Sequence, residues 1–235
     1  SVDIAWKAIN SAVKPRLSVE LPVSTVQMEF NSGLKATNVI DLIDSLVSRS
    51  KELCNDVDFS ALDATRSEKD FLINALTTAI NAGATTVTIC DTAGLLMPHE
   101  MDVFINSLYE SIPSLKTVTL AVRCSDELSM ATACAATAIR AGATEINVAI
   151  NSGIAPSIKE IALLIKTRGD DGGYYSNIKT TNLHRSINQI HWLTKSKGEK
   201  KSPFQTGIKN TQTNDDEEFI KIYKFPSANI VEEQD

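Results

Sequence analysis

The sequence predicts an α/β fold built on parallel strands, and three observations carry that expectation. Apolar residues switch repeatedly between helical and strand spacing. The strands recur about thirty residues apart with short connections, as βα units do. One local unit also occurs twice, as N-A-G-A-T-T-V-T-I from Asn81 and as R-A-G-A-T-E-I-N-V from Arg140, each a helix end at Gly followed by a β-branched strand. Residues 3–13 place Ile4, Ala8 and Ala12 on one helical face, with Pro15 as the stop. Residues 16–23 alternate apolar and polar as a strand and lead into Ser24–Phe30. Over 37–53, Val39, Leu42, Ile43, Leu46 and Val47 recur at helical spacing behind Thr37 as N-cap. A short strand over 56–60 precedes a helix over 67–82 that Gly83 ends at C′. Strands over 84–90, 117–124 and 145–150 then alternate with helices over 98–111, 126–141 and 157–166.

Beyond Arg168 the character changes. Gly169–Gly173 reads as a loop or linker, 180–197 as a modest helix on Leu183, Ile187, Ile190 and Leu193, and 195–201 as basic. The expected division is a partial barrel domain over 1–168, a linker and small helical subdomain over 169–210, and an acidic tail over 211–235. That tail carries most of the net charge of −6, so the rest of the chain is nearly neutral. A pI near 5.2 argues against a nucleic-acid or anionic-membrane binder. At 43% hydrophobic and 22% charged residues the chain can bury a core, yet no apolar run is long enough to span a bilayer. The opening Ser-Val-Asp-Ile-Ala-Trp has neither a basic n-region nor an apolar h-region. Cys54, Cys90, Cys124 and Cys134 are scattered with no CxxC, which reads as buried structural thiols in a cytoplasmic protein.

Ligands of parallel α/β folds bind at the C-terminal ends of strands. Here those ends are Ser24–Glu29, Asp58–Arg66, Asp91–Gly94, Arg123–Glu127 and Asn151–Gly153. Phe59-Ser-Ala-Leu-Asp-Ala-Thr-Arg-Ser67, Cys90-Asp-Thr-Ala-Gly94 and Val122-Arg-Cys-Ser-Asp-Glu-Leu-Ser-Met130 resemble the 2-isopropylmalate synthase and homocitrate synthase family. Asp3–Arg16, Ser24–Glu29 and Ala149–Gly153 are similar to it too, so the resemblance runs in order over about residues 3–210. It implies a TIM-barrel-related fold, the (β/α)8 barrel, of which about five βα units are recognisable here. It further implies a metal-dependent Claisen condensation of an acyl-CoA with a 2-keto acid in amino-acid biosynthesis, leucine biosynthesis included, and a helical subdomain over 180–194.

Departures from the family pattern qualify the activity. The family's metal-binding His-x-His falls on Arg123-Cys-Ser125, whose outer residues share one strand face. A guanidinium cannot ligate a metal and repels a dication. The Gly-rich loop is shortened to Asn151–Pro156, both His of a later motif are lost at Phe204–Lys209, and Gln27 stands where the family has His. The chain opens at what resembles the third barrel helix, so the family's Asp-Arg-Glu strand is not among these residues. The expectation is a protein with no metal and no cofactor, degenerate in catalysis. The alternative is a non-catalytic regulatory or binding paralogue that pairs with a complete synthase subunit; a homo-oligomer is also expected.

Glu29, Thr92 and Arg123 are the expected substrate-binding residues, for a 2-keto acid or other small carboxylate. Glu29 aligns with a family active-site Glu, or is a loop carboxylate in solvent. Thr92 resembles the family's keto-acid contact, beside an Asp91 that equally braces the strand end. A buried unpaired Arg123 is costly, so Asp126, Glu127 or Asp91 is its expected partner. Its functional reading is a cation that replaces the metal's charge and binds a carboxylate. Asp63 and Arg66 at i, i+3 suit an ion pair. His184 and His191 read as surface residues, His99 as a helix start, and Trp6 and Trp192 as packing residues. Five parallel strands left open would expose an apolar face and edge.

Overall fold

The computed structural model describes residues 2–150 and 154–194. Five parallel strands, β1 (Leu17–Pro22), β2 (Val57–Leu62), β3 (Thr86–Asp91), β4 (Thr119–Cys124) and β5 (Glu145–Ile146), form one sheet in sequence order. The helices α1 (Val2–Ile9), α2 (Ala36–Leu53), α3 (Lys69–Asn81), α4 (Pro98–Ser111), α5 (Ala131–Arg140), α6 (Ile158–Gly172) and α7 (Thr180–Thr194) precede, connect and follow the strands. No helix among the described residues is long and apolar enough to cross a membrane.

Period-two alternation gives the sheet two unlike faces. Leu17 and Val19, Val57, Phe59 and Ala61, Val87 and Ile89, and Leu120 and Val122 point to the helical layer and are buried. There they meet Val39, Ile43 and Val47 of α2, Leu72 and Leu76 of α3, Met101 and Ile105 of α4, and Ala138 of α5. Each large side chain fully buried in this layer stabilises the fold by roughly 1.5–3 kcal/mol.

The opposite face carries Ser18 and Glu20, Asp58 and Ser60, Thr86 and Thr88, Cys90, and Arg123, matched in register from strand to strand. The expectation of an exposed apolar face is therefore corrected: this face is polar, and Asp58, Ser60, Thr86 and Thr88 are buried. The sheet curls far enough for its first strand to meet its last two. Arg16, just before β1, donates to Glu145 of β5 at 2.6 Å and to Asp56 at 3.0 Å. Arg123 of β4 donates to Glu20 of β1 at 3.0 Å. Among the described residues no buried side-chain nitrogen or oxygen lacks a hydrogen-bond partner.

The repeated sequence unit is a repeated structure. At the end of α3, Gly83 N–H donates to Ile80 C=O and Ala84 N–H to Ala79 C=O; after α5, Gly142 N–H donates to Ile139 C=O and Ala143 N–H to Ala138 C=O. This is the Schellman pattern, with φ of 104° at Gly83 and 114° at Gly142. Thr85 and Thr144 then enter the sheet through hydrogen bonds to Val57 and Leu120 C=O.

Several boundaries differ from expectation. The first helix ends at Ile9 in turns well before Pro15. The segment after β1 is a π-helical turn, Val26–Ser32. Lys35, in extended conformation, takes the N-cap position of α2 instead of Thr37. Residues 126–130 are a loop, because Asp126 caps Ala131 N–H at 3.0 Å and Ser129 adopts φ 58°. The last strand is only two residues long. Gly169–Gly172 continue α6, so the expected loop begins at Gly173. The four cysteines are buried and unpaired. Trp6 packs against the core, whereas Trp192 is 79% exposed and contributes no packing there. Asn151–Gly153, His191's side chain, the end of the helix expected over 180–197, the basic run 195–201, Phe204–Lys209 and the tail over 211–235 lie outside the described residues.

Gly142→Ala should destabilise the fold by about 1–3 kcal/mol, because its φ is left-handed and a Cβ would sit 2.9 Å from the Tyr109 ring. Gly83→Ala carries the same backbone strain but meets only the flexible stem of Lys51. Urea unfolding should therefore rank Gly142→Ala as the more destabilising of the two, and equal midpoints would contradict this account.

Candidate functional site

The strand ends are tied together by two aspartates. Asp63, fully buried, follows β2 in the left-handed region at φ 61° and opens the 3-10 turn Ala64–Arg66. That turn brings Arg66 back onto its carboxylate, with Nε donating at 2.9 Å to Oδ1 and Nη2 at 2.8 Å to Oδ2. The carboxylate also accepts from Ser24 Oγ, beyond β1. Its hydrogen bonds raise the pKa of Arg66. Asp63 N–H donates to Thr92 Oγ1, beyond β3, at 2.9 Å. Asp91 adds a second brace: its carboxylate accepts from Thr65 Oγ1 at 2.8 Å and Leu96 N–H at 3.3 Å, and its C=O accepts from Ser125 N–H at 3.0 Å.

Deeper on the polar face, Asp58 accepts hydroxyls from its own strand and the two beside it: Ser18 at 2.8 Å, Ser60 at 2.9 Å and Thr88 at 2.7 Å. A carboxylate that is only 5% exposed needs such partners, since burying a charge without them is prohibitive. One step nearer the strand ends stands Arg123, whose side chain is 26% exposed, paired with a Glu20 side chain that is 46% exposed. Burial pulls the Arg123 pKa down, but the Cys90 sulfur and Glu20 outweigh that and leave it raised. Burial pushes the neighbouring Cys90 thiol up to about 12 despite the adjacent cation, so it is a neutral thiol at physiological pH. That excludes Cys90 as a ready thiolate nucleophile.

The three expected substrate contacts occupy different surroundings. Thr92 is exposed and belongs to the Asp63 cluster; it lies two residues past Cys90, the register partner of Arg123. Arg123 does have a carboxylate partner, but it is Glu20 and not Asp126, Glu127 or Asp91, since Asp126 caps α5 and Asp91 is engaged by Thr65 and Leu96. Glu29 is exposed on the π-helical turn, and its carboxylate has no partner among the described residues. The ion pair of Asp63 with Arg66 is present at the spacing that suited it. Ser24 and Asp58 fall inside the strand-end segments marked in the sequence but receive no role there, and Glu20 is not marked. The alternation Leu-Ser-Val-Glu-Leu-Pro places Ser18 and Glu20 on the face opposite the core, and that was the available signal.

The divalent metal implied by the resemblance does not fit the residues present. A guanidinium and a serine occupy the strand-end positions of its imidazole ligands, and the adjacent thiol is protonated. Among the described residues no group of three or more His, Cys, Asp or Glu side chains is arranged to hold a metal ion.

Comparison with known proteins agrees with this architecture. The HMGL-like family model matches residues 2–190. The 2-isopropylmalate synthase of Pelotomaculum thermopropionicum is 35% identical over 198 residues, which is 82% of this chain and 39% of that protein. Methylthioalkylmalate synthase 1 of Arabidopsis thaliana is 36% identical over 201 residues, 82% of this chain and 40% of that protein. This chain thus spans about two-fifths of the length of these curated relatives. Among solved structures, the hydroxymethylglutaryl-CoA lyase of Pseudomonas aeruginosa superposes with a TM-score of 0.70 at 12% identity, over 83% of this chain and 68% of that one. The HMG-CoA lyase of "Acenitobacter baumannii", in complex with coenzyme A and 3-methylmalate, gives 0.69 at 12% identity over 90% and 70%. These likenesses establish the fold as part of a (β/α)8 barrel. With the family model covering most of its length and synthases related along the same stretch, the chain belongs to the HMGL-like family.

Proposed function

We propose that this protein is a 2-isopropylmalate synthase-like member of its family that binds a small carboxylate, such as a 2-keto acid, at its strand ends and does not carry out the metal-dependent condensation. The observation that carries this reading is Arg123, a half-buried cation held at a strand end where the family places metal ligands. In that position the guanidinium offers a carboxylate the charge that a metal would otherwise supply. Thr92 supports the same ligand. Its oxygen is engaged by Asp63 N–H, which leaves the hydroxyl hydrogen to donate to an anion. Glu29, exposed on the π-helical turn after β1, is assigned to the polar end of the ligand by the family resemblance. The names of the relatives support amino-acid biosynthesis, leucine biosynthesis in particular, as the setting. Four unpaired cysteines favour a cytoplasmic location.

A second reading, a regulatory paralogue that pairs with a complete synthase subunit or with itself, is favoured by one observation. Leu163, Tyr175, Trp192 and Leu193 are exposed apolar side chains on or beside α6 and α7, the kind of surface partners cover.

Two measurements test the main reading. Elemental analysis of dialysed protein should find well under one equivalent of Zn, Mn or Mg per chain; one retained equivalent would contradict it. 2-Oxoisovalerate at millimolar concentration should raise the thermal midpoint, Arg123→Ala should abolish the rise and Thr92→Val should reduce it. No CoA should be released from acetyl-CoA in its presence. A shift unchanged by Arg123→Ala, or steady CoA release, would sink the reading.

A further inference from the structure

We infer that Glu20 is a built-in competitor for the ligand's carboxylate, occupying Arg123 until a small carboxylate displaces it. This rests on the carboxylate-site reading above and adds a mechanism of regulation to it. Glu20 and an incoming 2-keto acid present the same chemical group, and Arg123 is the cation for which they compete. Glu20 engages it through one hydrogen bond, from Arg123 Nη1 to Glu20 Oε1 at 3.0 Å. A guanidinium presents a fork of donors, so a free carboxylate can bind it bidentately and gain over the single bond that it replaces.

The surroundings decide which group gives way. Asp58 is already satisfied by the hydroxyls of Ser18, Ser60 and Thr88, so it does not depend on Arg123 as Glu20 does. Cys90 contributes a neutral thiol. Glu20 is the half-exposed partner, and a displaced Glu20 side chain can turn to water without leaving a buried charge behind. Its backbone is held in register by the pairing of β1 with β2, opposite Ser60, so release requires only a side-chain rotation.

Calorimetric titration of 2-oxoisovalerate at neutral pH into wild type, Glu20→Gln and Arg123→Ala tests this. Glu20→Gln keeps the shape and removes the competing charge, so affinity should rise roughly threefold to tenfold. Glu20→Asp, shorter by one methylene, should tighten binding by a smaller factor and serves if the glutamine variant folds poorly. Arg123→Ala should lose binding. Unchanged or weaker affinity in both Glu20 variants, with binding still lost in Arg123→Ala, overturns the competitor role and leaves the carboxylate site standing. No binding to wild type or to either Glu20 variant overturns both.

Discussion

A parallel sheet that turns a polar face inward must satisfy every group on that face, and the Asp58 carboxylate is where this structure does so. Three hydroxyls from β1, β2 and β3 converge on it, each at hydrogen-bonding distance. Removing any one would strand part of a buried charge, at a cost of about 1–3 kcal/mol. The network also fixes register, since a slip by one residue would turn Ser18, Asp58 and Thr88 into the helical layer. With register fixed and the sheet curled, Arg16 reaches Glu145 and Arg123 reaches Glu20.

The candidate site follows from that curl. Arg123 would face open water on a flat sheet, where a lone cation has no structural meaning. On the curled one it looks across at β1 and is half buried, which makes a partner obligatory. The Asp63 and Asp91 braces act at a different level. They hold the loops after β1, β2, β3 and β4 to one another, so that Thr92 and the residues around it stay at fixed positions above the sheet. Cys90 beside the cation is a neutral thiol and adds no charge to this face.

Local features of this fold were legible in the sequence and long-range ones were not. Helical and strand periods placed all five strands, and the twice-used Gly-Ala-Thr unit marked two Schellman ends. The Asp63 and Arg66 pair was readable because three residues of separation bring the side chains together. The partner of Arg123 lies 103 residues away and that of Arg16 lies 129 away, and only the curvature of the sheet decides such pairings. Gly169 misled for a related reason. Its composition reads as a loop, yet the Tyr174 backbone packs where a Cβ would be, at 2.4 Å, so the helix needs a glycine there. Asp126 was equally misread as an ion-pair partner when its local task was to cap α5.

The pairing of Glu20 with Arg123 across the curled face is the claim from which the account of the site follows, and a double-mutant cycle measures it directly. Glu20→Gln, Arg123→Gln and the double variant, compared by urea unfolding, should show a coupling of about 0.5–1 kcal/mol, as suits a partly exposed pair. Additive effects, with coupling below about 0.2 kcal/mol, would contradict it.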